Sequence, residues 1–309
     1  MLTLENQSEN TVYIEGILSE INLEVRDGYT NKRTGGTQRG ITGTINVQLE
    51  QAVDEDSEPK LCDITISCFA FENKKNGGPN PAFESLSKVM NEYKSIAAVG
   101  IDEADRVRIS GASLSLNRYE GRDGREVRYP RIRATFINRI SKEQYHPRAT
   151  FTVTAVVGQK MREQDANGEE TGKYIVNGSI VQWGGLADVL QFCTSNENAI
   201  DYIESTWEPG DTVKMEGLLM FTSQEVEASA GEVDYGFGTP TNRTRTVFKS
   251  DLVIVAGSAP LDEDLSYDLE EIKRGIALAD DKYKADMERR KNRATSTSAP
   301  TKTSKDLGF

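Results

Sequence analysis

Apolar and polar residues alternate along much of the first 150 residues, a pattern typical of β-strands with one buried face. Segment 41–49 places its isoleucines, valine and leucine on one parity and its threonines, asparagine and glutamine on the other. Segment 61–71 alternates in the same way, but its polar parity ends in Phe69 and Phe71. Three further segments are strand-like: 12–21, 105–117 and 127–140.

A helix is predicted between the third and fourth of these strands, over residues 80–100. Asn80 can cap it, and Pro81 suits the first helical position. Apolar residues then recur at 3-4-3-4 spacing from Phe83 to Ala97, and Gly100 ends the pattern. The order is therefore three strands, one helix and two strands.

The next 110 residues repeat this order. Strands are predicted at 150–162, 172–183, 187–193, 211–222 and 244–256, with a helix at 196–206 before the fourth. A short motif, D-x-V-x-[IM]-x-G, recurs at the start of both fourth strands, at 105–111 and 211–217. Its recurrence at the same place in two similar element orders indicates a duplication.

Five strands with a helix between the third and fourth is the element order of the OB-fold, a small Greek-key barrel. Gly111 and Gly217 suit the sharp strand bend that such a barrel needs. Segment 105–137 resembles the last two strands of OB-fold single-stranded DNA-binding proteins, where a D-x-V-x-x-x-G strand enters a charged hairpin and returns. Two OB domains in one chain of this length resemble phage-encoded versions of that family.

The predicted fold class is mainly β, with two tandem OB barrels, each with one inserted helix. After residue 257 an apolar stripe repeats at helical spacing from Leu265 to Met287, which predicts an amphipathic helix that docks on a barrel or pairs with a second copy. The polar end of the chain is expected to be disordered. The predicted boundaries are 1–148 for the first OB domain, 149–258 for the second, 259–294 for the amphipathic helix and 295–309 for the disordered tail.

Charge is unevenly distributed in this chain of 309 residues, whose net charge is -12. Residues 105–150 hold 11 basic and 5 acidic side chains, whereas residues 151–260 hold 7 basic and 16 acidic ones. A basic stripe therefore lies inside an acidic protein, and it points to an anionic partner for the first barrel. The acidic second barrel is expected to serve mainly in structure, dimerisation or partner contacts, and a weak secondary groove that uses residues such as Trp183 and Phe248 is left open.

Several function classes are disfavoured by composition. Three cysteines without a CxxC spacing argue against a disulfide scaffold or a thiolate zinc site and fit a reducing cytosol. The single histidine argues against a histidine metal site, so no metal or cofactor is expected, and the chain shows no catalytic motif. No apolar run long enough for a membrane helix and no secretory signal are found, which favours a cytoplasmic protein, in the host cytoplasm if it is phage-encoded.

Aromatic side chains that stack on bases and cations that approach phosphates are the groups that bind single-stranded nucleic acid. Three segments of the first barrel supply them: the loop 26–40, the end of strand 61–71 and the hairpin 118–133. The candidate DNA-binding residues are Arg26, Tyr29, Lys32, Arg33, Arg39, Phe69, Phe71, Lys74, Lys75, Arg118, Tyr119, Arg122, Arg125, Arg128, Tyr129, Arg131 and Arg133. The competing interpretation is a solvated hairpin, partly neutralised by its own acidic residues.

The chain ends in Asp306-Leu307-Gly308-Phe309. This tip resembles the acidic, phenylalanine-terminated tail by which bacterial single-stranded DNA-binding proteins recruit partner enzymes, although Lys302 and Lys305 replace most of the expected acid. The resemblance implies that Asp306, Leu307 and Phe309 bind replication or recombination proteins.

These observations favour a non-enzymatic, sequence-tolerant single-stranded DNA-binding protein of DNA replication or recombination, with RNA and self-association left open. One alternative is a phage structural or assembly protein that uses OB barrels for protein contacts. Another is a subunit of an enzyme such as a nuclease.

Overall fold

A computed structural model describes residues 1–30, 35–121, 123–165, 167–227 and 244–297. In its first half, five strands form a closed ring in the order β1-β2-β3-β5-β4, and β4 pairs again with β1. All pairs are antiparallel except β3–β5, which is parallel. The strands are β1 (Asn10–Thr30), β2 (Thr37–Gln51), β3 (Lys60–Phe71), β4 (Arg106–Glu120) and β5 (Glu126–Ala134).

The single helix predicted over 80–100 is wrong in extent, because the chain forms α1 (Pro81–Glu92) and a short α2 (Ile96–Val99). Asn80 caps α1 as predicted, accepting a hydrogen bond from the Ala82 amide. Helix α1 ends because Tyr93 is extended and Lys94 is tied to the start of β4. The Lys94 amide donates to Asp105 Oδ2 at 2.7 Å, and the Asp105 amide donates to the Lys94 carbonyl at 2.9 Å.

The strand predicted over 127–140 is also divided. Strand β5 ends at Ala134, and a separate strand β6 (Asn138–Ile140) pairs with the start of β4. Phe136, which lies between them, shares the parity of the buried Ile132 and Ala134 but is half exposed. Parity fails here because the chain leaves the ladder after Ala134.

The second half of the chain repeats the first. Its strands close a ring in the order β7-β8-β9-β11-β10, with β10 pairing again with β7. Helix α3 (Glu197–Thr206) lies between the third and fourth strands, as the sequence predicts. The strands are β7 (Arg148–Gln164), β8 (Glu170–Gln182), β9 (Leu186–Thr194), β10 (Thr212–Glu227) and β11 (Thr244–Gly257).

The two glycines of the repeated motif have different structural roles. Gly111 has φ of +78° and is the extra residue where β4 is bulged against β1, between the Val12–Ala112 and Tyr13–Ser110 pairs. Gly217 instead permits a close approach, because a Cβ there would overlap the Val253 carbonyl oxygen and lie 2.5 Å from the Phe151 ring.

The two rings meet through their first strands. Residues 10–15 of β1 pair antiparallel with residues 148–153 of β7, with Val12 opposite Phe151. One cluster of buried apolar side chains runs through both rings. Gln51 of β2 adds two hydrogen bonds across the junction, accepting from the Ala149 amide at 2.9 Å and donating to the Leu219 carbonyl at 2.8 Å. The rings therefore share a core.

Glu15 is the buried charge at this junction, with 1% of its surface exposed. It accepts hydrogen bonds from the Tyr13 hydroxyl and the His146 amide, both at 2.6 Å, and from Arg108 Nε at 3.1 Å. Burial raises the pKa of Glu15, but these hydrogen bonds outweigh burial and hold the pKa below its ordinary value.

The C-terminal helix α4 (Leu269–Thr297) docks in cis on both rings, which was one of the two predicted placements. It begins at the cap Asp268, whose Oδ1 accepts from the Glu270 amide at 2.7 Å. Ile272 is buried in a second apolar cluster with the N-terminal Leu4 and strand residues of the second ring. Gly275 permits this contact, because a Cβ there would lie 3.0 Å from Ala187 Cβ.

No described helix is both long enough and apolar enough to cross a membrane. The described elements together form a mainly β architecture with a C-terminal helix. The end of the chain, predicted to be disordered, lies outside the described residues from 298 onward.

Candidate nucleic-acid interface

Three aromatic rings cluster on the outer face of the first ring of strands. Phe69 and Phe71 lie on β3 with centroids 4.7 Å apart, and Tyr29 of β1 lies 5.6 and 5.4 Å from them, all edge to face. Phe69 is 41% exposed, although the alternate residues of β3 are buried. The sequence correctly placed Phe69 and Phe71 on the solvent parity, and the cluster leaves aromatic surface available to solvent.

Gly40 makes this aromatic cluster possible. It lies on β2, between Tyr29 on β1 and its register partner Phe71 on β3. A Cβ at position 40 would lie 2.9 Å from the Tyr29 ring, so any side chain there would displace the tyrosine from above the strand. The absence of a side chain lets the Tyr29 ring reach across β2 to the two phenylalanines.

Two arginines continue the same face on the neighbouring strand. Arg133 of β5 is the register partner of Ser67 of β3, two residues before Phe69, and it is exposed. Arg131 is partly buried, and its Nε donates to Ser67 Oγ at 2.8 Å. Burial and the neighbouring Arg133 charge lower the pKa of Arg131, but a guanidinium stays protonated. Neither arginine forms a salt bridge with any residue in the described part of the chain.

Arg131 and Arg133 carry like charges two residues apart on β5. Asp188 of the second ring of strands interacts with Arg133 but not with Arg131: burial raises the pKa of Asp188, and the Leu116 amide and the Arg133 charge offset only part of that rise. A phosphate beside Arg131 and Arg133 would relieve their mutual repulsion. This part of the face is therefore suited to an anionic ligand.

Most other candidate arginines are already paired with carboxylates. Except for Arg118, whose side chain is 12% exposed, the arginines of these pairs are exposed; such pairs contribute little to stability and do not remove the arginine from a binding surface. The pairs are Arg26–Glu24, Arg39–Glu72, Arg118–Glu126, Arg118–Asp280, Arg125–Asp123 and Arg128–Glu126.

Arg118 is the most enclosed of these paired arginines, with its side chain 12% exposed. Its guanidinium lies 4.4 Å from the ring centroid of Tyr283 on α4, in addition to its two ion pairs. Tyr119 and Tyr129 of the same hairpin are exposed and contact each other, with centroids 6.0 Å apart. The helix therefore holds one side of the hairpin, and the tyrosines face away to solvent.

The segment 26–40, predicted to be a loop, consists mainly of the paired ends of β1 and β2. Strand β1 runs to Thr30 and β2 begins at Thr37, with Tyr29 opposite Gln38. The strand continues past Gly28 because that glycine adopts φ of +84° at a bulge between Arg26 and Tyr29. Lys32 and Arg33, and Arg122 of the hairpin, lie outside the described residues.

Lys74 and Lys75 follow Phe71 in an exposed turn, closed by a 2.8 Å hydrogen bond from the Lys74 amide to the Gly78 carbonyl. Lys75 Nζ lies 5.9 Å from the ring centroid of Trp183, on the β8–β9 turn of the second ring. The sequence offers Trp183 only as part of a weak secondary groove, not as one of the candidate DNA-binding residues. A tryptophan before two glycines in a predicted hairpin was the sequence signal that could have indicated it.

Other chemistry finds little support in the described residues. They contain no cluster of three histidine, cysteine or carboxylate side chains arranged to hold a metal ion. Burial raises the pKa of both the Cys68 and Cys193 thiols to about 12, so neither is a reactive thiolate at neutral pH.

Comparison with solved structures finds single-stranded DNA-binding protein from Thermus aquaticus. The wild-type structure covers 83% of this chain and 95% of its own, with 12% identity and a TM-score of 0.48. A mutant lacking residues 228–252 of that protein covers 83% and 97%, with 12% identity and a TM-score of 0.49. Structural similarity with 12% sequence identity and a TM-score below 0.5 does not establish a shared function.

Comparison with curated proteins finds no similar sequence. The family model described as YorF matches residues 8–292, which include both rings and most of α4. The chain belongs to the YorF family.

Proposed function

We propose that this protein binds single-stranded DNA on the outer face of its first ring of strands, and that the two rings are tandem OB barrels. The observation that carries the proposal is the aromatic cluster of Tyr29, Phe69 and Phe71 beside Arg131 and Arg133, on one face. Base stacking needs exposed rings, and backbone binding needs cations free to meet phosphates. Both lie on neighbouring strands here.

Single strands fit this face better than duplex, because paired bases in a duplex hide the surfaces on which rings stack. The ligand would be read through ring faces and phosphate charge, so binding would tolerate many sequences. The second ring is the less favourable partner for a polyanion, since residues 151–260 hold 16 acidic and 7 basic side chains. Its role would be to complete the shared core and buttress the first ring.

The test is a titration of fluorescently labelled oligothymidine at two salt concentrations, with unlabelled duplex of equal length as competitor. We expect binding that weakens steeply as salt rises, since phosphate contacts release counterions. The duplex should compete poorly. No binding at low salt, or equal competition by duplex, would contradict the proposal.

We further propose that the protein acts in DNA replication or recombination as a binding protein rather than an enzyme. On this proposal the C-terminal tip, Asp306, Leu307 and Phe309, recruits partner proteins. These residues lie outside the described part of the chain, so the proposal rests on their order in the sequence. A phage origin stays a prediction of the same kind.

A further inference from the structure

Trp183 and Phe248 are the two most exposed large apolar side chains among the described residues, and Trp183 is the one that lies near the candidate interface. It is 78% exposed, on the short turn between β8 and β9. The chain's other tryptophan shows the usual arrangement: Trp207 is buried, and its indole nitrogen donates to the Ser258 carbonyl at 2.8 Å. An exposed tryptophan on a fixed turn marks an interaction surface.

The turn that carries Trp183 is held against the first ring. Gln182, just before it, donates from Nε2 to the Leu114 carbonyl of β4 at 2.9 Å. Asp188, just after it, accepts from the Leu116 amide of β4, also at 2.9 Å. Both contacts join a side chain of the second ring to the backbone of the first. The indole is thus placed beside the first ring by bonds on both sides of the turn.

Two glycines allow the tight turn that follows Trp183. Gly184 and Gly185 have φ of +84° and +75°, values that other residues adopt only with strain. The turn can therefore reverse the chain within three residues and present the indole at its tip.

Lys75 connects the indole to the candidate interface. Its ammonium lies 5.9 Å from the Trp183 ring centroid, and it follows Phe71 of the aromatic cluster by four residues. The Lys75 ammonium and the exposed indole of Trp183 thus lie together between the first and second rings of strands, beyond the end of β3. This pair has the chemistry of one nucleotide site, with a ring for a base and an ammonium for a phosphate.

We propose that Trp183 stacks on a base of the same strand that the first ring binds, so that the nucleic-acid path crosses from the first ring onto the β8–β9 turn of the second. This inference rests on the proposed function and extends it, because it assigns a ligand-contacting residue to the acidic ring. The acidic ring would contribute one aromatic platform, while the cations come from the first ring.

Tryptophan emission provides the test. Full-length protein, the W183F variant and the W183A variant are titrated with an oligothymidine of about 15 nucleotides, a length within the range that one OB-fold covers. Intrinsic emission is followed together with the anisotropy of a label on the oligonucleotide. F248A is the matched control, because Phe248 is also an aromatic side chain of the second ring of strands and is also 78% exposed. Thermal melts followed by circular dichroism check folding.

We expect DNA to quench the emission of the natural protein strongly and that of W183F little, since only buried Trp207 remains in that variant. W183A should bind about five- to 150-fold more weakly, the contribution of one stacked base, and W183F less weakly than W183A. F248A should bind normally. Oligonucleotide binding with neither a Trp183-dependent quench nor a loss in W183A would overturn the inference and leave the proposed function standing. Absence of binding to the natural protein would overturn both.

Discussion

The guanidinium of Arg118 lies 4.4 Å from the ring centroid of Tyr283, which joins the β4–β5 hairpin of the first ring to the C-terminal helix. The same guanidinium pairs with Asp280 on the helix and with Glu126 on the hairpin. Arg118 was a candidate phosphate contact by sequence. In the structure its contacts are those of a residue that fixes α4, and the proposed binding face centres on other residues.

A double-mutant cycle measures this contact. Arg118→Gln and Tyr283→Leu should each lower stability, and their combined effect should fall short of the sum by about 0.5–1 kcal/mol, as expected for a cation–π pair. The measurement is denaturant unfolding of the four proteins. Additive effects would show that the two side chains do not interact in solution. Arg289→Gln, on the exposed end of α4, provides a control.

Loss of the aromatic cluster should weaken DNA binding. Replacing Phe69 and Phe71 with alanine is expected to reduce the affinity for oligothymidine by about 1–3 kcal/mol per stacked base. Phe248→Ala removes a more exposed aromatic side chain, on β11 of the second ring of strands, and should have no effect. The measurement is anisotropy of a labelled oligonucleotide. Unchanged affinity in a folded double variant would exclude stacking at this cluster.

Arg131 and Arg133 should dominate the salt dependence. Replacing both with glutamine is expected to lower the slope of log affinity against log salt by roughly one unit for each lost phosphate contact. Replacing Arg125 and Arg128, which pair with hairpin carboxylates, should have a smaller effect, because a phosphate must displace those carboxylates. An equal or larger change from the hairpin pair would place the main phosphate contacts on the hairpin.

Glu15 should make stability depend on acid pH. Its pKa is lowered in the fold, so its ionised form contributes stability that is complete above the ordinary pKa of about 4.5 and is lost as pH falls through the lowered value. Glu15→Gln should therefore cost about 1–3 kcal/mol near pH 7, the range for a broken buried hydrogen-bond network. That difference should shrink as pH falls below about 4.

Chemical unfolding of the natural protein and Glu15→Gln at several pH values measures this difference. Glu20→Gln, on the same strand but exposed, is the matched control and should show no such trend. A difference between natural protein and Glu15→Gln that stays constant from pH 7 down to pH 3 would contradict the assignment.

Removal of the C-terminal tip should separate partner recruitment from DNA binding. Deleting Leu307–Phe309 is expected to abolish capture of a replication or recombination partner and to leave oligothymidine affinity nearly unchanged. Lys302→Ala, in the same polar segment, serves as a control. Affinity capture from host extract and anisotropy provide the two measurements. The same set of captured partners with and without the tip would contradict a recruiting role.

Local pattern was enough to predict most elements. Alternation of period two located ten of the strands within a few residues, except where the actual strand extends or divides, because a strand half-buried in a ring must alternate. Helical spacing located α1, α3 and α4 for the equivalent reason. The repeated motif placed Gly111 and Gly217 at corresponding positions of β4 and β10, and the solvent parity of Phe69 and Phe71 followed directly from the alternation.

Contacts between distant segments were decided only by tertiary structure. Which arginines are paired depends on carboxylates brought near by folding, as with Arg118 and Asp280, 162 residues apart. Tyr29 contacts the two phenylalanines because Gly40 of β2 lies beneath its ring. This arrangement involves three strands, so no pattern within one strand predicts it. Trp183 lies beside Lys75 because β1 and β7 pair and bring the turn of one ring against the other. Strand alternation, helix spacing and helix caps depend on residues that are neighbours in the sequence. Contacts between distant residues depend on how whole strands pair and pack.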